Sequence, residues 1–160
     1  VPLQKRRRQL VKALLQRVSE AGVSLEGETI AAIGPGLVVL VCTEKDDGEA
    51  DADYFARKVA NMRLFADTDG KANLSLLDVG GEALVISQFT LHASTKKGNR
   101  PSFTRAAKPE VAIPLYGQFI DTLERELGQA VQSGEFGADM KVALINDGPV
   151  TLTIDTKNRE

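Results

Sequence analysis

Three short stretches of this sequence carry more polar detail than core strands or solvated loops require. Ser87-Gln88-Phe89-Thr90-Leu91 follows the apolar run Leu84-Val85-Ile86. Read as a continuing strand, its period-two alternation puts Ser87, Phe89 and Leu91 on one face and Gln88, Thr90 and His92 on the other. Hydroxyls and an amide at a strand end can position a polar substrate or a water, and they can equally satisfy nearby backbone groups. Thr90 and His92 share a face, as a nucleophile and its base would. No carboxylate stands at evident spacing to orient the imidazole, however, and strand neighbours project in parallel rather than converging.

The second stretch is Asn146-Asp147-Gly148-Pro149-Val150-Thr151, a strong turn signal between two apolar segments. Gly-Pro between strands is also where a cis peptide would be placed. In that isomer two successive carbonyl oxygens would point where ordinary strands cannot aim them, and could hold an ammonium group. The sequence leaves the isomer open. The third stretch, Ser94 to Lys108, carries Lys96, Lys97, Arg100, Arg105 and Lys108 without an acid. It is either a phosphate-binding patch or a solvated loop, and Gly98, Asn99 and Pro101 make a loop the expected setting.

The elements that must position these residues are legible in the hydrophobic pattern. Val11 to Val18 reads as a strand, followed by Gly22 to Leu25 and Thr29 to Ile33 around the Glu26-Gly27 turn signal. Gly34-Pro35-Gly36 precedes Leu37 to Val41, a continuous apolar run of the kind buried strands show. Asp46-Asp47-Gly48 offers a helix start, with Ala52, Phe55, Val59 and Met62 on one helical face. Ala83 to Leu91 reads as a strand. A second amphipathic helix is expected from about Pro109 to Leu127, with Leu115, Phe119, Leu123 and Leu127 inward and Pro109 in its first turn. Lys141 to Ile145 and Val150 to Ile154 complete a set of seven or eight strands against two helices. The expectation is an α/β chain of the α+β type: mostly antiparallel, barrel-like sheet with two outer amphipathic helices.

Composition narrows the function classes. The chain has 160 residues, 42% hydrophobic and 26% charged, which fits one folded domain over residues 11–160. No apolar run reaches the roughly 18–20 residues of a membrane span. The lone Cys42 excludes an internal disulfide framework or a thiolate zinc cluster and fits a reducing cytosol. The lone His92 leaves little room for a polyhistidine site, and no metal site or cofactor loop is legible. Net charge is −2, but Lys5, Arg6, Arg7 and Arg8 lie in an acid-free stretch before Val11, and without them 16 cations face 22 acids. Residues 1–10 lack the apolar core of a signal peptide. They read as a solvated tail or start-site extension, or as a basic arm that touches RNA.

Together these stretches resemble the D-aminoacyl-tRNA deacylases, also called D-tyrosyl-tRNA deacylases, from Val11 to about Asp155. The likeness rests on Gln16-Arg17-Val18, Gly34-Pro35-Gly36-Leu37, Asn73-Leu74-Ser75, Ser87-Gln88-Phe89-Thr90-Leu91, Arg100-Pro101-Ser102-Phe103, Phe136-Gly137-Ala138-Asp139-Met140 and Asn146-Asp147-Gly148-Pro149-Val150-Thr151. The Ser-Gln-Phe-Thr and Asn-Asp-Gly-Pro-Val-Thr pair is the most specific part. Family members usually begin with Met where this chain has Val11, which suggests an alternative start codon read through from upstream.

The resemblance implies a cytoplasmic homodimer whose active site lies at the subunit interface and whose substrate is the 3′ acceptor end of aminoacyl-tRNA. It implies that Ser87, Gln88, Phe89 and Thr90 form the catalytic segment, with backbone N–H groups near Phe89 and Thr90 acting on the ester carbonyl and Phe89 near the terminal adenine. It implies a cis Gly148-Pro149 peptide entering the partner's site, taking the substrate ammonium and excluding an L side chain. Arg17 would brace that turn. Asn146 and Met140 join the substrate-binding set, and Lys96, Lys97, Arg100 and Arg105 are the expected RNA contacts. Neither metal nor cofactor is implied. Glycine has no side chain to exclude, so glycine mischarged on tRNA(Ala) is an expected second substrate. Two alternatives stand beside this: a related deacylase editing other mischarged tRNAs through a trans Gly-Pro turn, and a non-catalytic nucleic-acid-binding dimer.

Overall fold

The computed structural model describes residues 11–44 and 48–156. The basic run at Lys5 to Arg8 and the expected helix start at Asp46-Asp47 lie outside them. In chain order the elements are β1 (Val11–Leu25), β2 (Glu28–Ile33), β3 (Gly36–Thr43), α1 (Glu49–Asn61), β4 (Phe65–Ala66), β5 (Ala72–Leu74), the short α2 (Leu76–Val79), β6 (Glu82–Ser87), a 3-10 turn (Phe89–His92), α3 (Pro109–Leu127), β7 (Gln132–Ser133) and β8 (Lys141–Asp155).

One sheet dominates. Its path runs β2, β1, β3, β6, β7, with β8 on the other side of β1. β1 is antiparallel to β2, β3 and β8, whereas β3 with β6 and β6 with β7 run parallel. The curled sheet and few helices make the α+β, barrel-like architecture expected from the pattern, with a parallel centre that the hairpin signals did not announce. Positive φ at Glu26 and Gly27 gives the tight two-residue link from β1 to β2, a turn whose twist suits paired strands.

Three elements differ from the pattern reading. Val11–Val18 and Gly22–Leu25 are one strand, because β1 bends through register shifts at Gln16/Val18 and Val18/Glu20 instead of ending. The two late segments are likewise the single β8, paired to β1 on both sides of Gly148-Pro149. The strand expected through Leu91 stops at Ser87, and Phe89–His92 coil into the 3-10 turn. Side chains there no longer alternate: Thr90 is exposed and His92 is buried. The Thr90–His92 pair therefore shares no face, and the nucleophile–base reading fails on geometry.

The core lies between the sheet and the two long helices. Phe55 of α1 stacks on Phe119 of α3 at 4.9 Å, among the wholly buried Leu15, Leu37, Val39, Val85 and Leu123. A second apolar cluster, with Val18, Val23, Ile33, Val38, Leu84 and Ile86, fills the sheet's other face. β3 is thus buried on both faces, as its continuous apolar run requires. α1 begins with the Asp51 carboxylate accepting from the Gly48 N–H at 3.1 Å, and α2 with a reciprocal Ser75–Asp78 capping box. Among the described residues no helix is long and apolar enough to cross a membrane.

Candidate active site

Parallel strands gather their carboxyl ends on one side of a sheet, where crevices form. Here β3 ends with Val41, Cys42 and Thr43 and β6 with Ile86 and Ser87. Beyond them opens a cleft of about 270 Å³, also lined by Gln88, Phe89, Ala107, Ala112 and Tyr116 of α3, the 136–140 segment and Val142. Of the residues singled out from sequence, Ser87, Gln88, Phe89 and Met140 meet in this cleft. Thr90 stands at its edge, its hydroxyl accepting from the Gln88 amide. Phe89 is 58% exposed and packs edge-on to Phe103 at 5.0 Å, so a large apolar ring is held at the mouth with one face open.

The inner wall is aromatic. The Tyr116 hydroxyl donates to the Val85 carbonyl at 3.0 Å, its ring meets Phe136 edge-on at 5.7 Å, and burial pushes its pKa up to about 12. It is a neutral wall and an anchor between α3 and β6. Met140 lies over Gly134, where a Cβ would come within 2.5 Å of its sulfur. Sequence reasoning gave Tyr116 and Cys42 no place here. Tyr116 sits one step beside the inward stripe of α3, and Cys42 read as the end of an apolar run, so neither carried a local signal.

The Asn146 to Thr151 turn is elsewhere. Six residues of extended strand, about 20 Å, separate Gly148 from Val142, and Gly148 and Pro149 are exposed. The Gly148–Pro149 peptide is cis. The Asn146 side chain is used inside the turn, its oxygen accepting from the Val150 N–H at 2.9 Å and its nitrogen donating to Thr151 Oγ1 at 2.7 Å. Arg17 holds the turn from below: Nε donates to the Asp147 carbonyl at 3.0 Å, and Nη1 to the Leu64 carbonyl at 2.7 Å. The Asp147 carboxylate lies 3.9 Å from Nε. Arg17 and the turn thus form one unit, and the cleft another, within a single chain.

Lys96, Lys97, Arg100 and Arg105 are all exposed on the loop between the 3-10 turn and α3. Ser94 and Ser102 exchange two backbone hydrogen bonds of 2.8 Å, and Ala107 N–H donates to the Thr43 carbonyl at 2.9 Å. The basic loop is therefore closed at its base and returns to the cleft at Ala107.

The sequence model of the D-Tyr-tRNA(Tyr) deacylase family matches residues 14–155. The chain belongs to this family. It is similar to a D-aminoacyl-tRNA deacylase of Bacteroides thetaiotaomicron, 55% identical over 150 residues, covering 94% of this chain and all of that one. A D-aminoacyl-tRNA deacylase of Porphyromonas gingivalis is 53% identical over the same shares. Among solved structures, one described as a c-Myc DNA unwinding element binding protein superposes with a TM-score of 0.84 at 39% identity, covering 89% of this chain and 97% of that one. A probable eukaryotic D-amino acid tRNA deacylase shares the fold, with a TM-score of 0.82 at 16% identity over 91% and 99%. This deacylase family member is accordingly a hydrolase of ester bonds. The cleft is compatible with that chemistry. The first N–H groups of a 3-10 turn have no acceptor within it, so the Phe89–His92 turn offers backbone donors where an ester carbonyl would enter.

Proposed function

We propose that this chain hydrolyses the ester joining a D-amino acid to the 3′-terminal adenosine of tRNA, releasing free tRNA and the D-amino acid. The observation that carries the reading is the meeting of Ser87, Gln88 and Phe89 in the lining of the cleft, with a helical turn of backbone donors beginning there. Aminoacyl esters are activated, so holding the ester and stabilising its oxyanion suffices for much of the acceleration. Water adds to the carbonyl, the bond to the ribose 3′ oxygen breaks, and that oxygen leaves with a proton. The ribose 2′-hydroxyl is the group we assign to proton movement, since Thr90 has no base beside it. Phe89 offers its open face to the terminal adenine. Lys96, Lys97, Arg100 and Arg105 take phosphates of the acceptor end, and a local patch serves an acidic protein for that purpose.

In this reading the active unit is a homodimer in the cytoplasm. The distance between cleft and turn within one chain supports an exchange, in which Gly148 and Pro149 of each protomer enter the partner's cleft with Arg17 and Asn146 behind them. Their carbonyls receive the substrate ammonium and occupy the space an L side chain would need. Glycine on tRNA(Ala) passes the same filter. Residues 11–160 act as one domain. The solved relative described as DNA-binding gives substance to a second reading, a nucleic-acid-binding dimer without catalysis.

Incubation with D-Tyr-tRNA, L-Tyr-tRNA and Gly-tRNA(Ala) tests these readings. Cleavage of the first and third only is expected. Equal cleavage of D and L esters would remove chiral exclusion, and no cleavage would favour the binding role. Thr90→Ala should stay near wild type, while D-Tyr-tRNA lacking the terminal 2′-hydroxyl should react far more slowly.

A further inference from the structure

The turn that carries Phe89 and Thr90 is fastened to β3 at three points. At its start the Gln88 N–H donates to the Val41 carbonyl at 2.8 Å. In the middle the Cys42 thiol faces two carbonyl acceptors, Phe89 at 3.6 Å and its own neighbour Thr43 at 3.5 Å, and shares its single proton between them. At its end the buried His92, 7% exposed, hydrogen-bonds the backbone of Cys42. Its Nε2 is buried without a partner, so Nδ1 makes that bond and carries the proton of the neutral ring. One strand residue, Cys42, thus receives the turn twice: through its thiol and through its backbone.

The consequence for the cleft follows from peptide geometry. The Phe89–Thr90 peptide is trans, so its C=O and N–H point in opposite directions. Holding the Phe89 carbonyl against Cys42 directs the Thr90 N–H away from β3. We propose that Cys42 and His92 are positioning residues for ester cleavage, acting as a clamp that fixes the Thr90 N–H as an oxyanion donor, and that a second proton on His92 loosens the clamp. The proposal rests on the hydrolytic reading of the cleft.

The proton dependence has a physical cause. A second proton would sit on Nε2, where no acceptor waits, in surroundings that have displaced water. Burial is the largest influence and lowers the His92 pKa from its ordinary 6.5. Glu44, just past the end of β3, the Cys42 backbone acceptor and Asp155, of β8, favour the charged ring, Lys12, of β1, opposes it, and burial outweighs them. Because the folded value is depressed, the clamp is fully formed above the ordinary histidine range. It is lost as pH falls through the lowered value.

The test compares wild type with His92→Leu, His92→Asn, Cys42→Ala and Cys42→Ser in single-turnover and steady-state cleavage of D-Tyr-tRNA between pH 5 and 8, with thermal melts of each. His92→Leu is expected to lower kcat about tenfold to a hundredfold with KM little changed, as misplacement of a reacting-site donor does. His92→Asn, whose amide can donate from the Nδ1 position, should recover most of kcat and erase the acid limb. Cys42→Ala should lose more than Cys42→Ser. Unchanged kcat in a folded His92→Leu variant, or an acid limb that survives in His92→Asn, would overturn the clamp. His92 is the sole histidine, so its ring resonance is identified in the wild-type NMR spectrum directly. Ring and Thr90 amide should titrate together with a midpoint below 6.5; independent titration refutes the proposal even where the variants do not fold. A wild-type chain inactive on D-Tyr-tRNA refutes the proposed reaction instead, and the joint titration then judges the clamp by itself.

Discussion

Gly36 shows how closely single residues are specified. It opens β3 directly beside Glu82 of the parallel β6, and a Cβ on Gly36 would lie 1.8 Å from the Glu82 carbonyl oxygen. Backbone cannot step aside as a flexible side chain can. Gly36→Ala is therefore expected to cost more than about 3 kcal/mol, read as a lower urea midpoint, whereas Gly27→Ala meets no neighbour and should cost only the roughly 1–2 kcal/mol of its left-handed backbone. A Gly36→Ala protein of wild-type stability would contradict this packing. In sequence, Gly34-Pro35-Gly36 was legible as punctuation, but not as a close approach. The partner lies 46 residues away, and local pattern carries no record of it. Thr90 and His92 teach the converse. Their spacing suggested a shared strand face, but the segment coils into a 3-10 turn that leaves Thr90 exposed and buries His92.

Among the elements, β8 is the one whose shape depends most on a neighbour. Turn chemistry at Asn146 to Pro149 signalled a break, yet β1 pairs with the strand on both sides of it. Arg17 projects from β1 at the register shift and ties the turn to the Leu64 carbonyl ahead of β4. Its side chain is only 19% exposed, and its planar fork serves two carbonyls at once. A lysine ammonium is a point donor and cannot reproduce that fork. Arg17→Lys is expected to lose about 1–2 kcal/mol of stability, and the D over L preference in deacylation should narrow more than kcat falls. Unaltered chirality with the same loss of stability would leave Arg17 a purely structural brace. The Gln16-Arg17 motif marked the position in sequence, but the carbonyls it reaches belong to distant segments.

At the scale of the molecule, a fifteen-residue edge strand with Val142 39% and Ile145 54% exposed is an invitation to pairing that soluble proteins ordinarily cover. The proposed dimer covers it and delivers each Gly148–Pro149 turn to the other cleft. Ile145→Asp should weaken dimerisation by about 2 kcal/mol, roughly thirtyfold in Kd, as the loss of a central apolar contact does. Sedimentation should show monomer at concentrations where wild type is dimeric, and deacylation should fall in proportion to the monomer. Full activity in a monomeric variant would show that each chain completes its own site.

By itself the sequence determined the amphipathic helix α3 and its inward face, the buried run of β3, the turn at Glu26-Gly27 and the motifs that mark the family. These rest on periodicity, capping and turn chemistry, which act over a few residues and are written into the local order of side chains. Tertiary structure alone decided that β3 and β6 run parallel and open a cleft at their ends, and that Tyr116 and Cys42 line it. It also turned His92 inward and separated Gly148 from the cleft of its own chain. Each of those outcomes depends on contacts between segments tens of residues apart, whose formation is settled by how the whole chain buries its apolar surface and satisfies its backbone.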